Sequence, residues 1–280
     1  EYARGVAGGL LFSLPLLYTV EVWLGGVVAP PRHSILYLLV TMALLVGYNR
    51  YAGMRRDANW AEVAIDSVEE MGLGLVLAAA ILGLAGRIGP GVPVNEILGK
   101  VLFEAMTVAI GVSVGTAQLG AGDEAGQKDT GMEGDRRGSS RGAHGAGNED
   151  LRFGGQLVIA LCGAVLFASS VAPTEEIQTI AFETSSARLL GLGLLSLALG
   201  GVILFYSDFS GAHRKAPLSG LEPVIVDAVI TYAVALFASA VFLWFFGRFE
   251  GLAPISCISQ IVVLGLAATM GASAGRLLLQ

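Results

Sequence analysis

The chain has 280 residues, of which 54% are hydrophobic and 14% charged, with a net charge of -6; a water-soluble domain carries about 25% charged residues, so a soluble globular fold is excluded. Its mean hydropathy is +0.69, and apolar runs of about 18 residues or more, each long enough to cross a bilayer, recur along its length. The two cysteines, Cys162 and Cys257, lie in apolar stretches without CxxC spacing, which excludes a disulfide framework and a thiolate metal site. No basic stripe interleaved with aromatics is present, so nucleic acid is not an expected partner.

In chain order, apolar runs and flanking charges predict spans at 5–29, 34–53, 62–88, 95–119, 153–174, 186–207, 221–248 and 254–279. The first follows Arg4, is too long for the apolar region of a signal peptide, lacks a small-residue cleavage site and carries Glu21; it reads as a retained helix. With eight spans and a cytoplasmic N-terminus, twelve Lys and Arg residues lie inside and five outside, as the positive-inside rule requires. Both termini are therefore expected in the cytoplasm. Between the fourth and fifth spans, 120–151 is rich in Gly, Ser and charged residues; such a segment cannot bury enough surface to offset its ordering entropy and predicts a disordered cytoplasmic linker.

The four spans before the linker (1–119) are echoed by the four after it (152–280). Gly8, Thr19 and Glu21 return at an offset of 155 as Gly163, Thr174 and Glu176, and Tyr48 returns at 158 as Tyr206. Asp66 and the pair Gly86-Arg87 return at 161 as Asp227 and Gly247-Arg248; Gly111-Val-Ser-Val-Gly115 returns at 160 as Gly271-Ala-Ser-Ala-Gly275. The expected architecture is an all-α polytopic bundle of eight membrane helices built as two parallel four-helix repeats, related by an axis along the membrane normal.

Carboxylates within apolar spans are costly when they face lipid, which directs attention to them as sites. Glu21 lies about four residues, or roughly 6 Å, outward of the centre of its span. Glu104 sits at a similar depth, and the repeat brings Glu176 to that level. Glu21, Glu104 and Glu176 are the candidate ion site, with Lys100, one turn from Glu104, and Arg188 as charge partners; the plain alternative is an i,i+4 pair of Lys100 with Glu104 and loop positions for Glu175 and Glu176. Asp66, Asp227 and Glu70, with Glu62 and Glu69 nearby, form the candidate inner vestibule that would attract cations, or else a solvated face at the cytoplasmic interface. Arg87 and Arg248 read as snorkelling side chains at outer helix ends.

The two G-x-S-x-G segments match a hydrolase elbow in letters only, since they lie inside apolar helices with no histidine beside them; they read as small-residue packing surfaces. No dinucleotide fingerprint, Walker loop or His-rich metal motif occurs, so no cofactor is expected and an enzyme acting on lipid ranks third among the readings.

The stretches ARGVAGGLLFSLPLLYTVEVWLGG, YNRYAGMRRD and EVAIDSVEEMGLG resemble a bacterial family of uncharacterised multi-pass integral membrane proteins of the domain-of-unknown-function type. That resemblance implies a bacterial inner (plasma) membrane location and carries no substrate or catalytic residues with it. The leading expectation is conduction or transport of a small ion, a cation or proton, along the interface of the repeats. The competing one is a scaffold or sensor whose acids are structural and whose linker binds a cytoplasmic partner. The lipid bilayer is the partner in either case.

Overall fold

The computed structural model describes residues 2–17, 19–52, 59–127, 145–211 and 221–278. Among these the chain is helical, with no strand: α1 (Tyr2–Leu17), α2 (Val20–Val28), α3 (Pro31–Ala52), α4 (Trp60–Leu84), α5 (Val94–Gln127), α6 (Gly145–Val171), α7 (Glu175–Glu183), α8 (Ser186–Gly211), α9 (Leu221–Phe245) and α10 (Pro254–Leu278). Seven are long and apolar enough to cross a membrane: α3, α4, α5, α6, α8, α9 and α10. Many large apolar side chains face outward, among them Ile35, Leu39, Leu190, Leu194, Val226 and Phe237; a bundle surrounded by lipid tails tolerates this and one surrounded by water does not.

The expected first span departs from a single helix. Pro15 removes one N–H from the last turn of α1, and at Thr19 the backbone leaves the helical region, with φ -96° and ψ 88°, before α2 begins. The 16 residues of α1 rise only about 24 Å, short of a bilayer's hydrocarbon core of about 30 Å. A count of eight spans is therefore not established by helix length. In the second half Pro173 ends α6, because the residue before a proline is pushed out of the helical region, and Thr174, extended at ψ 152°, begins α7. Helix covers both ends of the expected linker, since α5 runs on to Gln127 and α6 starts at Gly145; the remainder of the expected linker lies outside the described residues.

The central helices are α5 and α10. In the first half α5 packs on α1, α4, α2 and α3; in the second α10 packs on α6, α9, α8 and α7. Glycine sets the closest crossings. A Cβ at Gly8 would stand 2.5 Å from both the Gly111 carbonyl oxygen and Gly115 Cα, and a Cβ at Gly163 would overlap the Gly271 carbonyl. The G-x-S-x-G segments thus lie where backbones meet. A Cβ at Gly99 would likewise overlap the Gly26 carbonyl, where α2 crosses α5. The turns after α4 and α9 are also alike: Gly86 and Gly247 both adopt φ 69°, and the next N–H bonds back to Leu82 and to Leu243, each at 2.8 Å, the 6→1 bond of a Schellman cap.

One apolar core joins the halves. Tyr37 of α3 stacks on Phe103 of α5 at 4.7 Å and on Phe245 of α9 at 4.8 Å. Deeper in, the Cys162 thiol of α6 lies 3.8 Å from the Leu44 carbonyl of α3.

Candidate functional site

At the end of the bundle formed by the α4–α5 turn, Trp23 of α2 is buried between two cations. Arg87 lies 5.1 Å and Lys100 5.3 Å from its ring centre, distances at which the ring face attracts positive charge. Lys100 is only 6% exposed yet fully engaged: its ammonium pairs with Glu96 at 2.6 Å and donates to the Arg87 carbonyl at 3.0 Å. The i,i+4 partner of Lys100 is thus the acid one turn toward the turn and not Glu104. Glu96 is partly exposed, so pairing there desolvates one ion less completely than pairing in the core would.

Glu104 is left alone. It is 0% exposed, in the middle of the crossing Val94–Ala117, and neither carboxyl oxygen has a hydrogen-bond partner. Tyr37 of α3 is within electrostatic reach, but its hydroxyl points to the Phe103 carbonyl, 3.4 Å away. An isolated ionised carboxylate in such surroundings costs far more than its neutral form.

About nine residues further along α5, a second polar group forms between three helices. Asn49 of α3 donates to Ser67 Oγ at 3.1 Å and to Glu70 Oε2 at 2.6 Å, both on α4. Its carbonyl oxygen accepts from the Ser113 hydroxyl of α5 at 3.0 Å, and that hydroxyl is also within bonding reach of Glu70. Asn49, Ser67 and Ser113 are all buried. Asp66 and Glu69 flank Glu70 on the same helix.

The corresponding end of the second half is closed by Arg276, 5% exposed. Its guanidinium pairs with Asp227 at 3.1 Å and donates to Thr231 Oγ1 at 2.7 Å and Gln156 Oε1 at 3.2 Å. These groups, with Phe153, Leu157, Ala160 and Ile230, line a shallow cleft between α6, α9 and α10.

The candidate residues therefore fall in separate places. Glu21 is half-buried in the first turn of α2, Glu176 is exposed on α7, and Arg188 is exposed at the start of α8. No hydrogen bond or ion pair among the described residues joins Glu21, Glu104 and Glu176, and no three His, Cys, Asp or Glu residues among them converge as a metal site would require. Of the inner candidates, Asp66 and Glu70 share α4, whereas Asp227 is held by Arg276. Sequence reasoning missed Asn49. Its signal was present: an amide in the otherwise apolar and aromatic end of α3, one residue from the flanking Arg50.

The chain matches, over residues 1–279, the family described as "Putative integral membrane protein (DUF2391)", and it belongs to that family. No curated protein and no solved structure matches it.

Proposed function

We propose that this multi-pass membrane protein moves protons across its bilayer, with Glu104 as the group that takes up and releases them. The observation that carries the reading is the 0% exposure of Glu104 with both carboxyl oxygens unpartnered. A purely structural acid in a membrane bundle is tied to a neighbour, as Asp227 is to Arg276. The choice of a proton over a metal cation follows from the ligand count. A proton needs one oxygen, whereas a metal cation released from water needs several, and among the described residues no three His, Cys, Asp or Glu side chains gather as such a site would require.

In this reading α1 and α2 together make one interrupted crossing, the two halves are parallel repeats, and both termini and the linker face the cytoplasm. The break at Thr19 is in keeping with the discontinuous helices found at carrier sites. Glu21 and Glu176, in the first turns of α2 and α7, take the favourable end of a short helix dipole and serve the ends of the bundle, not the buried site.

A second reading has its own support. The acids at Glu70, Glu96 and Asp227 are each tied to a neighbour, as in a scaffold whose linker recruits a cytoplasmic partner. Purified protein in liposomes under separate H⁺, Na⁺, K⁺ and halide gradients separates the two. The proton reading expects flux under the pH gradient alone, abolished by Glu104→Gln and kept after deletion of 120–151. Flux of a metal cation indifferent to Glu104→Gln, or no flux of any ion, contradicts it.

A further inference from the structure

Neither carboxyl oxygen of Glu104 has a hydrogen-bond partner, and the packing of α1 and α2 on α5 fixes what stands opposite the group. The first segment runs antiparallel to α5. A Cβ at Gly8 would meet Gly111 and Gly115, one at Gly9 the Val108 side chain, and one at Gly26 the Gly99 carbonyl and the Lys100 amide. The face of α5 turned to α1 and α2 therefore carries Lys100, Val108, Gly111 and Gly115. Glu104 lies one turn from Lys100 and one turn from Val108, in the same stripe. Trp23 of α2 covers Lys100, which keeps that stripe against α2 up to its outer end. Counted at 1.5 Å per residue from these crossings, α1 ends and α2 begins at the level of about residues 104–106 of α5. The interruption of the first segment thus stands against the buried carboxyl.

A helix start receives an ionised carboxylate well, because its first N–H groups have no partner within the helix and the dipole places its positive end there. An unbroken span would have those N–H groups bonded to carbonyls one turn back, so the break supplies donors that an intact helix lacks. Thr19, the N-cap of α2, makes no side-chain capping bond and is partly buried. The buried face of α2 carries Val22, Trp23 and Gly26, and Thr19, three residues before Val22 and four before Trp23, falls on it. We infer that the first turn of α2, with Thr19 at its head, is the acceptor of the Glu104 carboxylate. The inference rests on the proton reading above and names the partner of its ionised form. When the Glu104 O–H bond breaks, the proton leaves to water and the electron pair stays on the carboxylate, which the Thr19 hydroxyl and the N–H groups of that turn then hold. A returning proton reforms the O–H bond and releases them. Thr19 keeps its own proton throughout and is a positioning residue; its hydroxyl donates to an anion as readily as to a carbonyl. The titratable and charged groups around this place are Lys100 and Glu96 on α5, paired with each other, Arg87 on the turn after α4, Tyr37 and His33 on α3, and Glu21. Glu21 shares the first turn of α2 but lies on its opposite face by the 3.6-residue period.

The test compares variants of the full chain in liposomes holding a pH-sensitive dye, each variant first shown to elute and melt as the native protein does. Thr19→Val and Thr19→Ala both remove the hydroxyl, so one serves if the other fails to fold, and Thr19→Ser keeps it. Thr269→Val removes a buried hydroxyl of α10 that bonds its own helix at the Gly265 carbonyl. Three results together support the inference. Proton flux falls about tenfold without the Thr19 hydroxyl, and the pH of half-maximal flux moves upward because the ionised form has lost a donor. Thr19→Ser restores both the rate and the pH profile, and Thr269→Val leaves both native. Native flux that Glu104→Gln abolishes but Thr19→Val and Thr19→Ala leave unchanged overturns the inference and leaves the proton reading standing. A loss that Thr19→Ser or Thr269→Val shares equally, or one with an unmoved pH profile, does the same. Native protein no more permeable to protons than empty liposomes overturns both.

Discussion

Glu104 is a fully buried carboxyl group with no hydrogen-bond partner at either oxygen. An unsatisfied buried polar group costs about 1–3 kcal/mol, so Glu104→Leu should raise the thermal stability of the detergent-solubilised protein by an amount of that order while abolishing proton flux. Equal or lower stability would mean that Glu104 has a stabilising partner. Arg276 is the opposite case, a buried cation whose guanidinium bonds Asp227, Thr231 and Gln156 together. Breaking such a set from one side typically costs about 3 kcal/mol or more, and Arg276→Met is expected to lower the melting temperature accordingly. Arg276→Lys should recover only part of the loss, since an ammonium cannot reproduce the planar fork. Full stability of Arg276→Met would show that the cleft is not held by this residue.

At the scale of elements, the close crossings decide where side chains are tolerated. Gly99 has no room for a Cβ against the Gly26 carbonyl, whereas Gly72 on α4 has nothing within 4 Å. Gly99→Ala should therefore destabilise by about 1–3 kcal/mol through overpacking. Gly72→Ala should be neutral or stabilising by about 0.5–1 kcal/mol from the better helix propensity of alanine. Thermal melts of the two variants side by side check this, and similar melts would contradict the crossing. The helices themselves were legible in the sequence because hydropathy over about 20 residues is a strong signal for a spanning segment. The break at Thr19 was not, although Pro15 was in plain view: an average over the whole window hides a single interrupted turn. Pro173 was the better guide, because it stands where the apolar run also ends. Glu104 was legible as an acid in a span, but its lack of a partner was not. Spacing offers Lys100 both an i-4 and an i+4 acid, and only the three-dimensional position of the partly exposed Glu96 decides between them. The role of Asn49 escaped because a neutral amide gives little contrast in a charge-based reading, and its three partners lie 18 to 64 residues away.

For the molecule as a whole, the proposed orientation, with the Lys- and Arg-rich loops in the cytoplasm, can be read directly by labelling. In a Cys257→Ser background, with Cys162 buried, a cysteine at Ser139 should react with a membrane-impermeant maleimide only from the cytoplasmic side, and one at Arg188 only from the opposite side. Reaction of both from one side would rule out the arrangement of two halves with a cytoplasmic linker. The two halves of the chain share one apolar core. The proposed function hinges on Glu104 being a carboxylic acid that exchanges its proton. Infrared difference spectroscopy of the protein in lipid reads this directly. A carbonyl stretch of a protonated carboxyl group should be present at neutral pH, shift on transfer to D₂O, and vanish in Glu104→Gln. A spectrum in which Glu104→Gln removes only the bands of an ionised carboxylate would contradict it.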